Sequence, residues 1–173
     1  GQTCICANRI YVQESVAEAF ESKFKAAVEA LVLGNGLDEN TTIGPVIDAK
    51  ALEKVERHVR DAISKGARLV TGGQRRKELA GFFYEPTILG GADERMIVTQ
   101  EETFGPVAPI YTFKTEEEAV AKANNSPYGL AAYYYTRDLG RMIRVYEALE
   151  YGIIGCNDAV PTTVKGAFGG LKE

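Results

Sequence analysis

The sequence has 173 residues, with 20 lysines and arginines against 24 aspartates and glutamates, for a net charge of −4. That balance argues against a nucleic-acid-binding domain, which carries a basic surplus or stripe, while 45% hydrophobic and 25% charged residues mark a folded globular chain. No apolar run approaches the ~18 residues a membrane helix needs. One histidine, His58, and three unevenly spaced cysteines, Cys4, Cys6 and Cys156, are too few for a multi-histidine metal site, a zinc ribbon or a disulfide scaffold.

In chain order, Arg9–Gln13 reads as a strand with Ile10 and Val12 on one face. Ser15 and Glu18 have capping-box spacing ahead of a helix striped by Phe20, Phe24, Val28, Leu31 and Val32, ended by Gly34 and Gly36. A second helix spans Asp48–Lys65 on Leu52, Val55, Val59 and Ile63, and closes at Gly66. Arg68–Thr71 reads as a strand. Phe82–Leu89 reads as extended, with Pro86 at an edge or irregular position. A strand at Val107–Phe113 precedes a helix opened by a capping box at Thr115 and Glu118 and ending near Ala123. A strand at Leu130–Thr136 follows, then a helix at Asp138–Leu149 carrying Leu139, Met142, Tyr146 and Leu149, then a strand at Gly152–Asn157. This alternation predicts one α/β layered domain with a mainly parallel sheet. Without an initiator Met, and stopping in a glycine turn, the chain reads as one piece of a larger protein.

Three constellations could carry chemistry. Cys4 sits after polar, loop-like Gly1-Gln2-Thr3, where a turn can aim backbone amides at a developing anion; a free cysteine is otherwise a small buried hydrophobe. Cys4 and Cys6 on an extended segment would lie roughly 6.5–7 Å apart on one side, too far for a relaxed disulfide unless the chain bends. The second constellation, Glu101-Glu102-Thr103-Phe104-Gly105-Pro106-Val107, could offer a carboxylate to vicinal hydroxyls and a flat ring to a cofactor; on spacing alone it reads first as a surface acidic pair with a core Phe at a turn. The third is the loop from Asn157 to Gly170, whose glycines permit close backbone approach. His58 reads as a helix-surface or half-buried residue without a catalytic role. Tyr133-Tyr134-Tyr135 reads as strand packing.

Taken in this order, the constellations resemble the NAD(P)-dependent aldehyde dehydrogenase superfamily over the whole chain. Gly1-Gln2-Thr3-Cys4 resembles the signature around its catalytic cysteine, and Glu101–Val107 its cofactor-side motif, with Thr103 where Ile is commoner. Asn124-Asn125-Ser126-Pro127-Tyr128-Gly129-Leu130-Ala131 is similar to its Asn-rich turn. Gly155-Cys156-Asn157 and Phe168-Gly169-Gly170-Leu171-Lys172 resemble its closing motifs, with Ala167 in place of the usual Pro. Within the superfamily, Cys4-Ile5-Cys6-Ala7-Asn8-Arg9 most resembles succinate-semialdehyde dehydrogenases.

The resemblance implies a three-layer catalytic domain with a mainly parallel twisted sheet, truncated at both ends. It implies Cys4 as the nucleophile that forms a thiohemiacetal and then a thioester, with NAD or NADP as cofactor. Glu102 would bind the nicotinamide-side ribose, and Phe104 would position the nicotinamide. Asn157 would shape the substrate loop, Thr162 and Thr163 fall in the variable anchor loop, and Phe168 lines the aldehyde tunnel. The general base, the side-chain oxyanion donor and the dinucleotide-binding domain would precede Gly1, and an oligomerisation strand would follow Glu173. The expected assembly is a homodimer or homotetramer, in the cytoplasm or, for a eukaryote, the mitochondrial matrix; thiols agree with a reducing compartment. Two other readings stay open: a thiol redox module built on Cys4 and Cys6, and a non-catalytic protein on the same fold.

Overall fold

The structure, a computed structural model, describes residues 1–172; Glu173, the last residue of the predicted terminal turn, lies outside them. It forms two compact units where the sequence reads as one domain. Gly1–Thr3 and Asn8–Thr112 make the first; Cys4–Ala7 and the chain from Phe113 onward make the second.

The first unit holds β1 (Ile10–Gln13), α1 (Ala17–Glu29), α2 (Ala49–Ser64), β2 (Arg68–Thr71), β3 (Thr87–Gly90), α3 (Ile97–Gln100) and β4 (Val107–Phe113). Its sheet runs β1-β4-β3-β2. β3 and β4 are parallel, and β2 is antiparallel to β3. Successive strand side chains point to opposite faces, and the core divides accordingly. Leu89, Val107 and Tyr111 pack with Leu52, Val55 and Val59 of α2. Ile88, Ile110 and Val12 pack with Phe24 and Val28 of α1. A helix layer on each face makes the three layers that the resemblance implies. β3 is buried at all four positions, as an apolar strand covered on both faces must be.

The second unit holds α4 (Glu116–Asn124), β5 (Ala131–Tyr134), α5 (Leu139–Ala148) and β6 (Ile153–Cys156). β5 and β6 pair in parallel, Ala131 with Ile153 through Tyr134 with Cys156, and α5 makes the crossover. Val145, Leu149 and Tyr151 form its core with Val120, Ala123, Ala132, Tyr134 and Ile154. The Glu116 carboxylate accepts from Arg141 Nε at 2.8 Å and Arg144 Nε at 2.9 Å, joining α4 to α5.

Several elements differ from the sequence reading. Glu14–Val16 winds into a 3-10 turn, so Ser15 lies inside a turn and α1 starts at Ala17, after an N-cap residue, Val16, that offers no side-chain bond. α1 ends at Glu29, before Gly34, because Val32 turns to bond Thr42 and Ile43; Leu31 and Val32 therefore lie beyond it. On α2, Ile63 points outward while His58 and Ala62 are buried. Strand pairing after Pro86 begins only at Thr87 and lies in the sheet interior, not at an edge. α3 has no counterpart in the predicted elements; Asp61 of α2 accepts its first backbone amide, from Ile97, at 2.8 Å. On α5, Leu139 and Tyr146 are exposed and Val145 takes the buried place.

Candidate functional site

In the first unit, Glu101–Gly105 connects α3 to β4 and is gripped by α2 at alternate residues. Glu101 Oε2 accepts from Arg57 at 2.8 Å and lies 3.3 Å from His58 Nε2. Thr103 is buried, its Oγ1 3.0 Å from His58 Nδ1, and its amide donates to Asn8 Oδ1 at 3.3 Å. Gly105 packs so closely on Val55 that a Cβ would overlap it, and Gly1 is equally close to the Gly105 carbonyl. The residues between are left outside the core: Glu102 is half-buried and Phe104 is exposed. Phe104 has φ 52°, a left-handed conformation uncommon away from glycine and concentrated at functional sites. The predicted core role for this Phe is therefore not the one it takes. His58 is a correction too. The ring is fully buried, because α2 turns it into the grip instead of toward solvent.

In the second unit, Cys4 is exposed on a turn, as expected, and Cys6 is partly buried. Cys4, Cys6 and Cys156 are all thiols. The Tyr133 hydroxyl of β5 donates to the carbonyl of Ile5, between the two cysteines, at 2.6 Å. Burial first, then the neighbouring Cys6 and Cys4, push that hydroxyl above its ordinary pKa. The cysteine turn is thus fixed to a strand of a parallel pair. In open α/β sheets, ligands collect beyond the carboxyl ends of such strands.

Asn157 follows β6 with φ 55°, a conformation Asn tolerates. Its amide accepts from Thr136 N and donates to Thr136 O, both at 2.9 Å, tying the ends of β5 and β6 together. Beyond it Thr162 is half-buried, and Thr163 and Phe168 are exposed. The segment is secured again at Leu171, which donates to Gly129 O at 3.1 Å. Lys172 Nζ donates to Asn124 O at 2.7 Å and lies 3.0 Å from Glu150. Asn157, Thr162, Thr163 and Phe168 therefore share a unit with Cys4 and Cys6, and Glu102 and Phe104 belong to the other. Among the described residues, no group of three or more His, Cys, Asp or Glu could hold a metal ion, and no helix is long and apolar enough to cross a membrane.

Compared with known protein families, residues 1–173 match the aldehyde dehydrogenase family throughout. The chain belongs to that family. It is 52% identical to the glutarate-semialdehyde dehydrogenase of Pseudomonas aeruginosa, over 99% of this chain and 35% of the relative. The succinate-semialdehyde dehydrogenase GabD of Escherichia coli K12, whose name gives NADP(+), is also 52% identical, over 99% of this chain and 36% of the relative. Among solved structures, succinate-semialdehyde dehydrogenase from Burkholderia pseudomallei superposes with a TM-score of 0.97 at 49% identity, over 99% of this chain and 36% of that one. The chain spans about a third of the length of these aldehyde dehydrogenases.

Three residues of this family member escaped the sequence reading. Tyr133 reads in the sequence as strand packing; its hydroxyl pins the cysteine turn. Lys172 closes the Phe168–Lys172 motif, and it anchors the Asn124–Ser126 turn. His58 is the third. The available signal was its place on the buried arc of α2, four residues before Ala62 and three after Val55, both fully buried.

Proposed function

We propose that this chain is the catalytic part of an enzyme that oxidises an aldehyde with a distant carboxylate, succinate semialdehyde foremost, to the carboxylic acid. One observation carries the reading: an exposed Cys4 on a turn that Tyr133 pins to a parallel strand. Cys4 attacks the aldehyde carbon as thiolate, and its backbone amide donates to the oxyanion that forms. Bound NAD or NADP supplies the acceptor for the hydride lost from carbon. Cys4 is then left as a thioester, which water cleaves to the acid and the thiol.

Glu102 and Phe104 fit the nicotinamide end of a dinucleotide, because the core claims neither side chain while it fixes the backbone between them. Glu102 would accept from ribose hydroxyls, and Phe104 would set the position of the nicotinamide. Asn157, Thr162, Thr163 and Phe168 would form the substrate loop, the two hydroxyls suiting a carboxylated aldehyde. The names of the relatives support that substrate class. The base that activates water and the dinucleotide-binding domain would come from the rest of a homodimeric or homotetrameric enzyme in the cytoplasm or mitochondrial matrix.

Cys4→Ser in the full-length protein tests this directly. Turnover is expected to vanish while dinucleotide binding persists; turnover within tenfold of the parent would overturn the assignment. The ratio of kcat/KM for succinate and glutarate semialdehydes tests the substrate. The isolated 173-residue chain is expected to reduce no cofactor, since loss of a general base alone costs about 10²–10⁴ in rate.

Cys6 adds redox control to the same reading. Peroxide oxidises the Cys4 thiolate to a sulfenate, and the Cys6 thiol displaces its oxygen as water, so that two thiols give a disulfide and peroxide takes both electrons. Dithiothreitol should restore activity, and Cys6→Ala should change the response. Inactive oxidised enzyme without a Cys4–Cys6 linkage by mass spectrometry would overturn this role.

A further inference from the structure

His58 is the buried titratable group that the proposed chemistry leaves unused. Its ring is 0% exposed and makes two contacts, to Glu101 through Nε2 and to Thr103 through Nδ1. These contacts define its tautomer. Hydrogen bonds from Arg57 and then His58 hold the Glu101 carboxyl below its ordinary pKa, so it accepts only. Nε2 therefore carries the proton, Nδ1 is bare, and the Thr103 hydroxyl donates to it. Burial pushes the His58 pKa below its ordinary value, against the pull of Glu101, which keeps the ring neutral near pH 7. Lys54, Arg57 and Asp61 on α2 and Glu101 from the facing segment are the charged groups around it. A second proton would put hydrogens on both ring nitrogens and force the Thr103 hydroxyl to accept instead of donate.

Thr103 is the residue between Glu102 and Phe104. Its amide is held by Asn8 and its hydroxyl by His58. Gly105, next along, is pressed on Val55. With Thr103 held at both backbone and side chain, the peptide planes on either side of it are set, and Phe104 takes φ 52°.

We propose that His58 is a positioning residue for the dinucleotide site: acting through the Thr103 hydroxyl, it sets the directions in which Glu102 and Phe104 leave the backbone. The proposal rests on the assignment of Glu102 and Phe104 to the cofactor. It differs from a core-filling role in requiring a hydrogen-bond acceptor at the Nδ1 position and a hydroxyl on residue 103.

The test uses four variants of the full-length protein, with single-turnover hydride transfer and the dinucleotide Kd as readouts. Thr103→Val keeps shape and removes the donor. His58→Gln keeps a donor toward Glu101 and loses the acceptor for Thr103, whereas His58→Asn keeps that acceptor. Thr103→Val and His58→Gln are expected to slow hydride transfer about 10- to 100-fold, the scale of a small misplacement of reacting groups. They should also weaken dinucleotide binding while leaving the aldehyde KM within about twofold. His58→Asn should recover most of both quantities. Glu102→Gln, the fourth variant, separates the two readings. If Glu102→Gln slows hydride transfer while folded Thr103→Val does not, the positioning role is overturned and the cofactor assignment stands. If Glu102→Gln changes nothing, the cofactor assignment falls and this proposal with it. Should the His58 variants fail to fold, Thr103→Val decides alone.

Discussion

The two segments that carry most of the candidate residues are held in opposite ways. Glu101–Gly105 takes its shape from distant parts of the chain: Arg57 and His58 grip its start, Asn8 and His58 its middle, and Val55 its end. The segment after Asn157 bonds mainly to itself. Val160 N donates to Asp158 Oδ1 at 2.8 Å and Gly166 N to Thr163 O at 3.2 Å. Longer-range ties appear at its ends, Asn157 on Thr136 and Leu171 and Lys172 on the Gly129 and Asn124 turns. A segment shaped by a core cannot change residues without disturbing that core. One secured at its ends can vary between them, which is how a fixed scaffold accommodates different substrates. Under the proposed function, the invariant partner meets the first kind of segment and the variable partner meets the second.

The sharpest way to break this contrast is to add one methyl group to each segment. Gly105→Ala drives a Cβ into Val55 and, behind it, α2. Overpacking of this kind costs about 1–3 kcal/mol. Gly166→Ala meets nothing closer than ordinary van der Waals contact with Thr163, so its cost should stay within about 0.5 kcal/mol. Urea unfolding of the two variants measures both. Equal destabilisation would show that the loop is core-bound too.

A pH titration sharpens the same contrast. Burial lowers the His58 pKa below the ordinary 6.5, so between those two values the unfolded chain binds the additional proton. The associated stability is complete above about pH 6.5 and is lost as pH falls toward the folded value, with a slope of up to about 1.4 kcal/mol per pH unit for one proton. His58→Gln, which cannot titrate, should flatten that limb. Glu116 acts lower. Arg144 and Arg141 hold its carboxyl down at about 2, so its contribution is present above its ordinary 4.5 and disappears as pH falls through about 2. The expected result is an acid limb in two stages, the upper removed by His58→Gln and the lower, which Glu116 shares with other carboxylates held low such as Asp61 and Glu101, reduced by Glu116→Gln. A single stage unaffected by either variant would contradict it.

How much was legible in the sequence follows the same division between local and distant causes. β2 and β4 appeared at their observed bounds, and α2 was bracketed by Asp48 and Gly66, because period and end signals are local. α3 was not legible: it is a single short turn whose first amide is taken by Asp61 from another helix. The division into two units left no linker or shift in composition to detect. At the candidate site, Cys4 on a turn was readable from its flanking residues. Glu102 and Phe104 were named through the motif, but what holds them was not. The His58–Thr103 contact joins residues 45 apart, and no local pattern encodes such a pair. His58 lies on the buried arc of α2 although its polarity argues for the surface or a half-buried place, and two hydrogen bonds resolve the conflict.

The smallest predicted effect concerns two tetrads with the same spacing and different outcomes. Thr115 and Glu118 form the capping box that the sequence suggests: Glu118 N donates to Thr115 Oγ1 at 3.2 Å, and Glu118 Oε2 accepts from Lys114 N at 2.8 Å. Ser15 and Glu18 form none, since the 3-10 turn at Glu14–Val16 moves the N-cap of α1 to Val16, which has no side-chain acceptor. An unmade cap has nothing to lose. Thr115→Ala should cost about 1 kcal/mol, the ordinary value of an N-cap, whereas exposed Ser15→Ala should fall within about 0.5 kcal/mol. Helical circular dichroism in urea reads both. Comparable losses would mean that Ser15 caps α1 in solution and that the local signal there outweighs the turn. Loss at Thr115 alone would show that a tetrad acts as a cap only where the chain before it arrives extended, as it does at Thr115 with φ −122° and ψ 159°.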